Sequence, residues 1–324
     1  MSGTSALRIR WAQRPPATGA AVMATGILSV GLHLPGYEAL SRIALVLTGI
    51  SWLGLAADFA VRLPRERERW AAEARSPVAL TPVAATAVLG AAVADLGWQQ
   101  LAEALLALAF VLWAGLILPV MWHWERRMPG VVFLGSVATE GIAVLAAVLA
   151  GAEGVAWLAH AALVFFWLGL VLYLAGLWRF DPRQVLTGAG DHWIAAGALA
   201  ISAVAGARLV AAAQSGLYLW NNDDNDTLRA VTVGLLVLAC SCYCVLAAAE
   251  MLRPRLGYDV RRWATVFPMG MTAVAALSVA AALEVHWPSG LGRVLLWIAV
   301  AVWCAVLASA VRSALGTVRS RAPR

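Results

Sequence analysis

Ten runs of mainly apolar residues follow one another along the chain, near 16–34, 40–61, 79–97, 101–123, 130–150, 155–178, 191–213, 228–251, 263–284 and 291–312. Each is close to the roughly 20 residues that a helix needs to cross a bilayer. In hydrocarbon every backbone N–H and C=O must be satisfied internally, which leaves only helices and closed barrels. Barrel strands alternate apolar and polar residues, whereas these runs are continuously apolar. Composition agrees: 62% of residues are hydrophobic and 13% charged, against about 25% charged in a soluble domain. These properties exclude a soluble enzyme, a disordered tail and a secreted disulfide scaffold. The expected fold is an all-α polytopic membrane protein with ten transmembrane helices. It forms a single transmembrane domain over residues 1–324, with short tails at 1–15 and 313–324. Arg8, Arg10 and Arg14 precede the first run, which reads as a membrane helix rather than a removed signal peptide.

The loops alternate in charge. All 24 basic residues are arginine, and twenty of them lie in the two tails and in the loops after the even-numbered runs. The other loops are nearly free of arginine and carry acids, as in Asn221-Asn-Asp-Asp-Asn-Asp226. Positively charged loops stay on the cytoplasmic side. Both termini are therefore expected in the cytoplasm, with the chain in the inner membrane of a bacterium. The net charge of +6 is accounted for by topology, and no nucleic-acid partner is implied. Cys240, Cys242, Cys244 and Cys304 all fall inside apolar runs and read as small buried hydrophobes. No metal or other cofactor is expected, and the Asn221–Asp226 run reads as a solvated loop.

The odd-numbered runs are rich in small residues, such as Gly26, Ser136, Gly197 and Thr272. The even-numbered runs carry more bulk, such as Trp52, Trp113, Phe166 and Trp303. Small residues let helix backbones approach closely, and large apolar groups suit lipid. Five inner and five outer helices follow. The openings of the odd runs also resemble one another, as repeated hairpins would. Each pair returns to the same side, so the repeats are parallel and suggest five parallel helical hairpins around a central pore. Pro82 and Pro268 lie on inner runs, where they mark either a cavity or ordinary kinks.

Four segments carry a resemblance: Val22-Met-Ala-Thr-Gly-Ile-Leu-Ser-Val30, Phe133-Leu-Gly-Ser-Val-Ala138, His192-Trp-Ile-Ala-Ala-Gly-Ala-Leu-Ala-Ile201 and, above all, Thr265-Val-Phe-Pro-Met-Gly270. The last is similar to the (S/T)-x-F-P motif of the tellurite-resistance/dicarboxylate transporter family. That family includes bacterial TehA, the plant guard-cell slow anion channel and fungal malate and sulfite transporters. The resemblance spans the whole chain. It implies five hairpins around one pore, often in a homotrimer, with an inner-helix phenylalanine plugging the path. The matching residues here are Phe267 and Pro268. From the residues alone Phe267 reads as a core or interfacial aromatic; the resemblance makes it a pore gate.

Two charged residues inside the runs are candidates in their own right. Glu140 falls near mid-bilayer, where an acid is a functional candidate by default. It reads either as a proton-coupling group or as a carboxylic acid bonding a neighbouring helix. Arg208 lies in the outer half of the seventh run. It reads either as an anion attractor or as a structural group paired with Asp95 or Glu284. Thr25, Gly26, Ser136, Gly197 and Thr272 complete the pore-lining candidates. The expected function is transport of a small anion, a C4-dicarboxylate or an inorganic ion, through the bilayer, channel-like or proton-coupled. It is not expected to be an enzyme. The alternative is a haem-bearing or other membrane-embedded oxidoreductase subunit.

Overall fold

The computed structural model describes residues 18–217, 225–254 and 259–319. The tail 1–15 and most of the Asn221–Asp226 loop lie outside the described residues. The ten expected runs appear as helices α1 (Thr18–His33), α2 (Glu38–Arg65), α3 (Thr81–Ala94), α4 (Gln99–Trp122), α5 (Leu134–Glu153), α6 (Ala156–Arg179), α7 (Ile194–Gln214), α8 (Asn225–Leu252), α9 (Trp263–Ala282) and α10 (Trp287–Arg319). Among the described residues, nine are long and apolar enough to cross a membrane, and α1 is a shorter apolar tenth. The chain is thus an all-α, multi-pass membrane protein. The segment expected to leave the last helix at 313 instead stays helical through Arg319.

Burial separates two sets. The spanning stretches of α3, α5, α7 and α9 are between 83% and 94% buried inside the protein, whereas those of α2, α4, α6, α8 and α10 are between 11% and 33% buried. In α1 the stretch from Val22 to Leu32 is buried as well. The inner helices touch in a closed cycle: α1 packs on α3, α3 on α5, α5 on α7, α7 on α9, and α9 back on α1. Every outer helix packs on the inner helix before it and also on the next one around the cycle. The outer faces carry the aromatic residues that favour membrane interfaces. Trp98, Trp157 and Trp287 are exposed at the starts of α4, α6 and α10, and Trp122 and Trp178 at the far ends of α4 and α6. Cys244 and Cys304 are exposed on α8 and α10, so the expectation of buried cysteines fails for these two.

Local chemistry repeats with the helices. Short 3-10 turns open α3 (Pro77–Leu80), α5 (Gly130–Phe133), α7 (Asp191–Trp193) and α9 (Val260–Arg262). Ser76 and Asp259 cap two of these turns by accepting from the N–H of Val78 and of Arg261. Every inner helix ends alike. A residue with positive φ follows it: Gly36, Gly97, Gly154, Gly216 and, at the fifth position, Glu284. The next N–H reaches back five residues, with Tyr37 donating to Leu32, Trp98 to Val93, Val155 to Ala150, Leu217 to Ala212 and Val285 to Ala280, at 2.9–3.3 Å. This 6→1 bond with a left-handed residue before it is the Schellman cap, and glycine is its natural occupant because it lacks a Cβ.

The inner helices are not free of aromatics. Phe133, Trp193, Trp263 and Phe267 are buried at the openings of α5, α7 and α9. Bulk is thus concentrated at the arginine-rich end of the ring, and small residues fill its middle.

Candidate functional site

Among the described residues, two cavities lie along the ring. The larger, about 320 Å³, is at the arginine-rich end. Met23, Thr81, Leu134, Ile194 and Phe267 border it, one from each inner helix, together with Asp191 and Arg261. The smaller, about 20 Å³, lies towards the opposite end and is bordered by Ile27, Val88, Val144, Ile201, Met271 and Arg208, among others. A water needs roughly 10–15 Å³ of such space. The first cavity therefore has room for a small ion with part of its hydration shell, and the second for about one water. Both walls are mainly apolar.

Phe267 stands where one cavity gives way to the other. Its neighbour one turn earlier, Ala264, borders the larger cavity, and Met271, one turn later, borders the smaller. Its side chain is 2% exposed. The ring lies against Gly197 of α7, where a Cβ would come within 3.3 Å of Phe267 Cε1 and 2.9 Å of Pro268 Cγ. Glycine at 197 is what lets the two backbones and the ring share this space. Pro268 lies inside α9, so it withholds a backbone donor from the carbonyl of Ala264 and favours a bend at this level. Pro82 lies within the first two positions of α3, where no intrahelical bond is lost. It is therefore a helix opener.

Three arginines at the two ends of the ring have acid partners. Arg261 donates to Asp259 at 2.9 Å, and Arg262 to Glu250 at 3.2 Å. Arg208 lies 3.8 Å from Asp95 at the far end, while Arg208 Nε and Asp95 Oδ2 have no hydrogen-bond partner. The hydrogen bonds from Arg261 hold the Asp259 carboxyl below the usual carboxylate range.

The remaining candidates do not border either cavity. A Cβ on Gly26 would meet Val88 of α3 and Thr48 of α2. Ser136 is fully buried with no partner for its hydroxyl. Thr25, Thr86, Thr139, Ser202 and Thr272 occupy corresponding places, one in each inner helix. Each donates to the carbonyl four residues earlier, at 2.7–2.9 Å. Three of them also accept an indole N–H from an outer helix: Thr25 from Trp303 at 3.0 Å, Thr86 from Trp52 at 2.9 Å and Thr139 from Trp113 at 2.8 Å. Glu140 is fully buried and lies between α5, α6 and α7, beside Gly169 and 2.8 Å from Ser202 Oγ.

Sequence reasoning missed the apolar lining, including Met23, Leu134, Ile194 and Ile27. Small polar residues attract notice in an apolar helix, but they serve close packing as readily as a path. A usable signal was present. In α3, α5 and α9 the hydroxyl residue follows a cavity-lining residue by five positions, as Thr81 to Thr86, Leu134 to Thr139 and Phe267 to Thr272.

A closed cycle of buried helices with cavities along its axis, sheathed by lipid-facing helices, defines a membrane protein of the channel and transporter class. The chain belongs to the SLAC1 family of voltage-dependent anion channels, whose match covers residues 13–311. The family carries anions across membranes, and it is the one to which the (S/T)-x-F-P segment and its three companions pointed. No curated protein matches the chain.

Proposed function

We propose that the protein passes small anions along the axis of the five-helix ring in a channel-like manner, with Phe267 as the constriction. The placement of Phe267 between the two cavities, with every inner helix contributing to the larger one, carries this reading. An aromatic ring across a narrow apolar passage blocks ions both by sterics and by excluding water. The conformation described here is a shut one, because the smaller cavity holds about one water. Apolar walls with few fixed charges bind an anion weakly and release it quickly. Arg261 at one mouth and Arg208 at the other supply the preference for negative charge.

The positive-inside pattern supports cytoplasmic placement of the arginine-rich end and of both termini. The substrate class is a C4-dicarboxylate or a small inorganic anion. The family resemblance supports a homotrimer, each protomer with its own path. Proton coupling through Glu140 would need that carboxyl on the path, and Glu140 borders neither cavity; Asp191 is the carboxyl that borders the larger one. The family match favours transport over a haem-bearing oxidoreductase.

Proteoliposomes test the reading directly. Chloride or malate efflux driven by a membrane potential alone, and unaffected by collapsing a pH gradient, is the expected result. Uptake that requires the pH gradient contradicts it.

A further inference from the structure

We infer that Glu140 takes the place of a missing tryptophan, bridging α5 to α7 as a neutral carboxylic acid that donates to Ser202. Three of the five inner-helix hydroxyls follow one rule: the hydroxyl donates to the carbonyl four residues back and accepts an indole N–H from an outer helix that packs on it. For α3, α5 and α1 that outer helix comes from the preceding pair around the ring. The outer helix in that position for α7 is α6, which presents Gly169 instead of a tryptophan. A Cβ at residue 169 would fall against the Glu140 carboxyl, within 2.6 Å of its Cδ. The space left by the absent side chain is filled by Glu140, reaching across from α5.

The donors and acceptors then fix where the proton sits. Ser202 Oγ is 2.9 Å from Ala198 O and 2.8 Å from Glu140 Oε1. A hydroxyl has one proton and cannot donate to both. At the other four places that proton goes to the backbone carbonyl. If it does so here, the bond between Ser202 and Glu140 needs its proton from the carboxyl, as the indole supplies it elsewhere. Glu140 Oε2 has no partner and the side chain is fully buried. An ionised carboxylate with one oxygen unpartnered in such a place is far more costly than a neutral acid. Glu140 is therefore a positioning residue that joins two inner helices, off the anion path.

The test uses the purified full-length protein. The infrared difference spectrum between wild type and Glu140→Gln at neutral pH should show a protonated-carboxyl C=O band that the variant lacks. The glutamine amide can also donate to Ser202, so Glu140→Gln should melt with wild type and keep its pH profile of anion flux. Glu140→Ala should shift melting downward. Gly169→Ala should do so in wild type but less in the Glu140→Ala background, where the clash is gone. If Glu140→Ala does not fold, the infrared band and the glutamine variant still decide. Absence of the band, melting of Glu140→Gln well below wild type, or a changed pH profile in Glu140→Gln would each overturn the inference. The infrared and melting results do not depend on whether the protein passes anions.

Discussion

Gly197 on α7 and Phe267 on α9 share one packing site: a Cβ built on the glycine lies 3.3 Å from the edge of the phenyl ring. The phenyl ring is thus packed against a backbone without a side chain, and on the proposed path a change at residue 197 would act through Phe267. Gly197→Ala adds helix propensity worth about 0.5–1 kcal/mol but forces the ring and Pro268 to move. The expected net effect is a loss of about 1 kcal/mol, within the range of small overpacking changes. A double-mutant cycle in detergent melting checks it: the loss should shrink when Phe267 is alanine.

The indole bonds tie the outer helices to the ring. Trp52→Phe, Trp113→Phe and Trp303→Phe each remove one donor while keeping most of the apolar bulk. Hydrogen bonds between membrane helices average about 0.6 kcal/mol with a maximum near 1.7. Each variant should lose stability of that order, measured by thermal unfolding, without a change in the anion selectivity of flux.

Asp95 lies 3.8 Å from Arg208, so on the proposed path it would compete with a passing anion for that arginine. Asp95→Asn should raise anion flux and Arg208→Gln lower it, each by roughly 2- to 10-fold at low salt. Flux measured at rising ionic strength should bring both variants towards wild type, because both groups are partly exposed and screened.

The Asp259–Arg261 pair has a definite pH sign. The folded-state carboxyl lies below its usual range, chiefly through hydrogen bonds from Arg261. Its contribution to stability is therefore present above the unfolded pKa of about 3.9 and is lost as pH falls through the lower folded value. Between pH 5 and 8 the pair stays intact, and stability should not change on its account. Asp259→Asn should release Arg261 at every pH and raise anion flux at the larger cavity, on the order of 2-fold. Flux and melting of the variant across that pH range check both halves.

Much of the architecture is visible in the sequence, because a bilayer imposes length and polarity on every span. Ten apolar runs marked the ten helices, the alternation of arginine-rich and arginine-poor loops set their expected orientation, and the concentration of small residues in odd-numbered runs separated inner helices from outer ones. The direction in which a side chain points is a different matter. Thr25 and Thr272 look alike in sequence to residues that line a path, yet they bond their own helices and, for Thr25, Trp303. Glu140 stands out as a lone acid, but only the gap at Gly169 on another helix explains its place. Met23 and Ile194 border the larger cavity and are indistinguishable from core residues by composition. Phe267 was marked by its resemblance to a family motif, since apolar packing alone gives a phenylalanine no distinction. Glu284 shows the same limit: four caps carry the expected glycine, and the fifth is an acid with φ of 56°.

The central claim is that Phe267 closes the anion path, and current across planar bilayers holding purified protein tests it most directly. With unequal chloride on the two sides, wild type should pass little current. Phe267→Ala should pass at least about 10-fold more, the removal of roughly 1.4 kcal/mol or more of barrier, with a reversal potential set by chloride. Equal currents in the two proteins, or a current in Phe267→Ala that is not carried by anions, would contradict the account.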